Sequence, residues 1–229
     1  MSTSLPAAHP DTSAEAARYA LLRRLSSSMR HHLVVNLQPI GMIYEVMERR
    51  LRAPTPDLPH VQESAGKINT FARAALASCV DVIGWLAPDE GVSTTLEDAA
   101  RECVGLVATS FSFRGYALRN EVTGLPGSVR RSGIRHLLTA TLLHCTDQAV
   151  APADVVLAGT SEPDGARLTV TLRATQSDKG IATEPNYRKI TWDDLLALAA
   201  ADGVQVARTG DTVVLRFPWA AAAPAASAA

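Results

Sequence analysis

The feature that most constrains this chain is a helical apolar repeat that runs for almost forty residues and then meets three prolines. From about Ala14 to Arg52, Leu22, Met29, Leu33, Leu37, Ile40, Tyr44, Met47 and Leu51 return with the spacing of one helix face. The segment Ala53-Pro-Thr-Pro-Asp-Leu-Pro59 cannot continue that helix, because each proline lacks an N–H donor and its ring crowds the preceding turn. A second repeat runs from about His60 to Leu86 through Val61, Ile68, Phe71, Ala75, Cys79, Val82 and Ile83. Two long helices joined by so short a break fold back as a hairpin. One hairpin is too thin to bury both apolar faces, so the pattern predicts a homodimer closed as a four-helix bundle.

After Ala87-Pro-Asp-Glu-Gly91 the texture becomes mixed. The spacing predicts helices over about 95–113, 129–149 and 191–201, and strands over about 117–122, 154–161, 167–174, 204–209 and 212–217. Asp164-Gly165 and Gly210-Asp211 read as hairpin turns built from residues tolerant of positive φ. The expected fold class is therefore α+β: a hairpin over 13–88 followed by an α/β sandwich over 89–219, with helices on one face of a mainly antiparallel sheet. The ends, 1–12 and 220–229, are Ser/Pro/Ala-rich, with too few bulky apolar groups to offset the entropy of ordering.

Charge narrows the choice of partner. The chain has 229 residues with 22 basic and 23 acidic side chains, so its balance favours neither nucleic acid nor an anionic membrane. Cys79, Cys103 and Cys145 stand far apart in apolar surroundings without metal spacing, and are read as reduced, buried thiols of a cytoplasmic protein. No apolar run approaches the roughly 20 residues of a membrane span, and no signal-peptide pattern opens the chain.

The order of elements resembles the dimerisation and ATP-binding core of sensor histidine kinases. His31-His32-Leu33-Val34-Val35-Asn36-Leu37 falls on that family's histidine box, with His32 in place of the acidic residue that follows the phosphoacceptor. In the second domain, Arg135 to Ala149 is similar to the helix that carries the family's N box, but its two asparagine positions are Thr141 and Cys145. Neither is the hard oxygen ligand that magnesium prefers. Beyond the strand Arg167 to Ala174, the loop Thr175-Gln-Ser-Asp-Lys-Gly-Ile181 retains one glycine of the adenine-reading Asp-x-Gly-x-Gly pattern, and the region Thr183 to Asp194 has no GxG. A kept scaffold with altered ATP boxes resembles the dimeric histidine phosphotransferases of bacterial phosphorelays. That resemblance implies a phosphoacceptor histidine, no use of ATP, no cofactor of its own with magnesium supplied by the partner, and response-regulator receiver domains and a hybrid histidine kinase as the kinds of partner.

The residues agree on which histidine would serve. At roughly 100° per residue the apolar stripe leaves His31 roughly 165° from its centre and His32 roughly 95°. His31 is thus the solvent-facing nucleophile candidate, since in-line attack needs a reachable imidazole nitrogen. His32 flanks it, Arg30 is placed to steady a phosphoryl group through charge-assisted hydrogen bonds, and Val34 and Val35 offer an apolar docking surface. Three rival readings stay open at this level: a non-catalytic scaffold, a divergent active kinase, and a phospho-aspartate phosphatase in which Asn36 or His32 positions a water.

Overall fold

The computed structural model describes residues 10–87, 91–176 and 187–220. The expectations for the chain ends and for the altered nucleotide loops lie largely outside these residues. Pro10 to Thr12, expected as part of a loose end, belong to the first helix.

Helix α1 spans Pro10–Leu51 and α2 spans Leu58–Leu86. Pro54 and Pro56 lie between them, and Pro59 falls in the first turn of α2, where its missing N–H costs no helix hydrogen bond. Asp57 caps α2 by accepting a hydrogen bond from the His60 backbone N–H at 3.3 Å. The chain divides into two compact units, and the division falls inside α1: residues 26–88 form one unit, while those up to Leu25 join the residues from 89 onward.

In the hairpin unit, Leu33, Asn36, Ile40, Ile43 and Met47 of α1 are half-buried, as are Val61, Ile68, Phe71, Ser78 and Val82 of α2, where Ala75 is buried. These are two seams at steps of three and four. The stripe read from sequence is partly corrected here. Leu33, Ile40 and Met47 face inward as expected, but Leu37, Tyr44 and Leu51 remain 51%, 52% and 44% exposed, and Asn36 and Ile43 take inward positions instead. A helix with apolar groups on more than one side leaves the periodicity ambiguous, and only the packed partner shows which side is covered. Cys79 corrects another expectation: it is exposed, lying on the flank of the α2 seam and not within it.

The α/β unit follows as β1 (Ser93–Thr94), α3 (Leu96–Phe113), β2 (Tyr116–Asn120), β3 (Val129–Arg130), α4 (Arg131–Gln148), β4 (Ala153–Glu162), β5 (Gly165–Ala174), α5 (Trp192–Asp202), β6 (Gln205–Thr209) and β7 (Thr212–Pro218). The main sheet runs β2-β4-β5-β7-β6, with β2 parallel to β4 and every other neighbour antiparallel. A small β1–β3 ribbon stands apart. Alternation sets the faces: Val155, Leu157, Leu168, Val170, Val213, Leu215 and Phe217 are buried, while Thr169, Thr171 and Arg173 between them are less covered. Thr95 caps α3, and Thr191 with Asp194 forms a capping box on α5, which ends at Gly203 with φ +65°.

One hairpin turn matches its expectation and one does not. Gly210 has φ +56° between the paired Thr209 and Thr212. The β4–β5 turn is instead Pro163-Asp164, and Gly165 already belongs to β5, with no positive φ. Its glycine answers a close approach: a Cβ there would collide with the Phe217 carbonyl of β7.

Among the described residues, no helix is long and apolar enough to cross a membrane.

Candidate functional site

The histidine pair sits in mid-helix. Arg30, His31, His32, Val34 and Val35 are all exposed, and the two imidazole centroids are 6.3 Å apart at 51°. Measured from the seam that forms, His31 points roughly 160° away and His32 roughly 60°. Each imidazole is therefore open to approach. Apolar exposure follows the same side of α1: Val35 is 50% exposed, and Met42 and Val46, two and three turns on, are 62% and 43% exposed.

Asn36 has a different setting. Its Nδ2 donates to the His32 carbonyl at 3.1 Å and across the seam to Ser78 Oγ at 3.2 Å, while the Ser78 hydroxyl donates to the Ala74 carbonyl at 3.0 Å. Both amide protons are thus committed inside the hairpin. Pro39 lies inside α1 and supplies no N–H, so the Val35 carbonyl lacks its ordinary intrahelical donor just beyond the histidines.

In the other unit, α4 is buried from Ser132 to Asp147, although many of its residues are polar. Its C-terminal end carries a network that the periodicity did not reveal. The Asp147 carboxylate accepts from Arg24 Nη1 at 2.6 Å and Nη2 at 2.9 Å, from Arg114 Nη2 at 3.3 Å and from the Ile190 backbone N–H at 3.3 Å. Arg24 belongs to the first turns of α1, where Ala14, Ala17, Leu21 and Leu25 are buried to 1% or less exposed. Arg24 donates further to the Arg188 carbonyl, and Tyr187 packs edge-on against Tyr19. The pairing of a lone Arg and Asp more than a hundred residues apart leaves no local pattern in the sequence.

The positions that the resemblance places in the N box, Thr141 and Cys145, are both on α4 and both buried. Burial pushes the Cys145 thiol up to about 12, with Arg208 acting weakly in the other direction, so the group is a neutral thiol at ordinary pH. His144 holds its Nδ1 2.8 Å from the Ile190 carbonyl. A carbonyl only accepts, so that nitrogen carries the proton. A cavity of about 100 Å³ opens beside these residues, walled also by Gln148, Leu172, Arg208 and Val213. His136 and His144, also on α4, are 2% and 5% exposed. No group of three or more His, Cys, Asp or Glu side chains among the described residues is arranged to hold a metal ion.

No protein-family model matches the sequence. No curated protein matches it significantly. Among solved structures, a histidine kinase from Burkholderia phymatum aligns at 16% identity over 87% of this chain and 96% of its own, with a TM-score of 0.43. A bacterial phosphotransferase aligns at 15% identity over 93% of this chain and 100% of its own, with a TM-score of 0.41. The histidine kinase ThkA, solved in complex with the response regulator protein TrrA, aligns at 15% identity over 88% of this chain and 62% of its own, with a TM-score of 0.39. At these scores and identities the likenesses establish no shared chemistry or partner, and the helical hairpin followed by a mixed five-stranded sheet rests on the geometry described above.

Proposed function

We propose that this chain is a homodimeric phosphorelay histidine phosphotransferase that moves a phosphoryl group between receiver-domain aspartates through His31, without using ATP. The observation that supports this most is the exposed His31 imidazole on the helix side turned from the hairpin seam, with exposed His32 flanking it and Val34 and Val35 bordering it at 45% and 50% exposure. A nucleophile that must meet a phosphoryl group carried by another protein needs that reach, and apolar groups around it give the partner a surface to bury.

In the step itself, a neutral imidazole nitrogen attacks phosphorus, an N–P bond forms, the P–O bond to the receiver aspartate breaks, and the carboxylate leaves. Return to a second receiver is the same exchange reversed. The magnesium that balances charge on the phosphoryl oxygens belongs to the receiver in this reading. This chain contributes the nucleophile, the docking surface and the Arg30 guanidinium near the developing charge. His32 flanks the nucleophile. The dimer in this reading is supported by Leu37, Tyr44 and Leu51 of α1 and Leu76, Ile83 and Leu86 of α2, which the single hairpin leaves 44–65% exposed. The α/β unit serves docking rather than nucleotide chemistry, in keeping with the buried Thr141 and the neutral Cys145 thiol at the N-box positions.

The test is transfer from phosphorylated receiver domains to the unaltered chain, His31→Gln and His32→Gln in parallel. An acid-labile, base-stable label that His31→Gln abolishes and His32→Gln retains is the expected result. The opposite pattern would move the phosphoacceptor to His32. Receivers that lose label to free phosphate without labelling this chain would replace the reading with a phosphatase, and receivers that keep their label would leave a scaffold.

A further inference from the structure

Asn36 is a polar residue in a seam otherwise lined on α1 by Leu33, Ile40, Ile43 and Met47. Aliphatic seams of this kind are held by non-directional contacts, and methionine adapts its shape readily, so neighbouring registers differ little in energy. A hydrogen bond between one amide and one hydroxyl is met in a single setting. Sliding α1 by one residue moves the amide about 1.5 Å along the axis and turns it about 100°, which breaks a contact of 3.2 Å to Ser78 Oγ.

We infer that Asn36 and Ser78 are positioning residues: their hydrogen bond fixes the register and rotation of the histidine-bearing turn of α1 against α2. The donor sense is determined, because the Ser78 proton goes to the Ala74 carbonyl and leaves the oxygen lone pair for the Asn36 amide. The other amide proton goes to the carbonyl of His32 itself, so the same side chain ties the seam to the histidine turn. Pro39 adds to the need for such a tie, since the helix loses a backbone hydrogen bond in the next turn. A polar asparagine set into an apolar helical seam, as the half-buried Asn36 is, selects register at some expense of stability. The consequence for phosphoryl transfer rests on the function proposed above; the setting of the register does not.

Three variants test it: Asn36→Leu, Ser78→Ala and the exchange Asn36→Ser with Ser78→Asn. The register is read without any phosphoryl donor, from the distance distribution between spin labels at Glu45→Cys and Lys67→Cys in a Cys79→Ser background, diluted with unlabelled chain. Both single variants should broaden or displace that distribution, and the exchange should restore it. Transfer to the histidine should fall about tenfold to a hundredfold in both, although Asn36→Leu leaves the melting midpoint unchanged or higher, a combination that a purely structural role does not produce. Distributions that stay native in both single variants would overturn the assignment. So would slow transfer in Asn36→Leu with native rate and distances in Ser78→Ala, which would make Asn36 act directly on the phosphoryl group. If the unaltered chain never takes label, the proposed function fails, and the distances alone decide the register.

Discussion

Replacing Asp147 by alanine should be among the most damaging single changes to the α/β unit. Its side chain is 1% exposed, and the arginines it holds, Arg24 and Arg114, are 6% and 16% exposed. Removing the carboxylate leaves two poorly solvated guanidinium groups and the Ile190 N–H without their acceptor. Breaking one side of a buried ion pair costs about 3–5 kcal/mol. Against a typical total of about 5–15 kcal/mol, that is a large share. For a chain of this size it corresponds to a melting midpoint lower by about 6–20 °C. Thermal and urea unfolding followed by far-ultraviolet circular dichroism would measure it. Arg24→Met should cost less, because Arg114 and the Ile190 N–H still serve the carboxylate. Arg24→Met combined with Asp147→Leu should cost less than the sum of its parts, as the two side chains share one interaction. An Asp147→Ala midpoint within about 2–4 °C of the parent, a loss of about 1 kcal/mol, would refute the view that this carboxylate ties α1 to α4.

Acid should expose a second carboxylate. Burial pushes Asp194 up, but the Arg188 fork at 2.6 and 2.9 Å and the Thr191 donors outweigh it and hold the group below the ordinary carboxylate range. A depressed value adds stability that is present above the unfolded value of about 3.9 and is lost as pH falls through the folded one. The stability difference between the parent and Asp194→Asn should therefore be constant above about pH 5 and shrink below about pH 4; a difference that grows in acid would contradict the sign. The thiols should separate in a disulfide-exchange titration of the native protein at about pH 8. Cys79 is exposed and should react promptly, while Cys103 and Cys145 are buried, the latter with its thiol pushed up to about 12, and should react only on unfolding. Prompt reaction of more than one thiol would show that the core opens readily.

Much of the architecture was legible because local rules were strong and consistent. The three prolines from Pro54 to Pro59 stopped one helix and began another, the alternation of Arg167-Leu-Thr-Val-Thr-Leu marked β5, and the apolar spacing over 191–201 marked α5. The exposure of His31 followed from the same arithmetic. Two features misled it. The apolar positions of α1 are too many for one face, so Leu37, Tyr44 and Leu51 were assigned inward when the hairpin leaves them out. The β4–β5 turn was placed one residue late, because the glycine there serves a neighbouring carbonyl rather than a turn.

What the sequence by itself determined is the succession of the longer helices and strands and the outward side of α1 on which His31 stands, since both follow from steric limits and periodicity within a few turns of chain. What only the tertiary structure decided is where distant groups meet. The first turns of α1 join the α/β unit through Arg24 and Asp147, which are 123 positions apart. Asn36 turns its amide to Ser78, 42 positions away on the neighbouring helix. Such pairs are selected by packing geometry and by the cost of burying polar groups unpaired, and neither quantity has a period that a single chain can display.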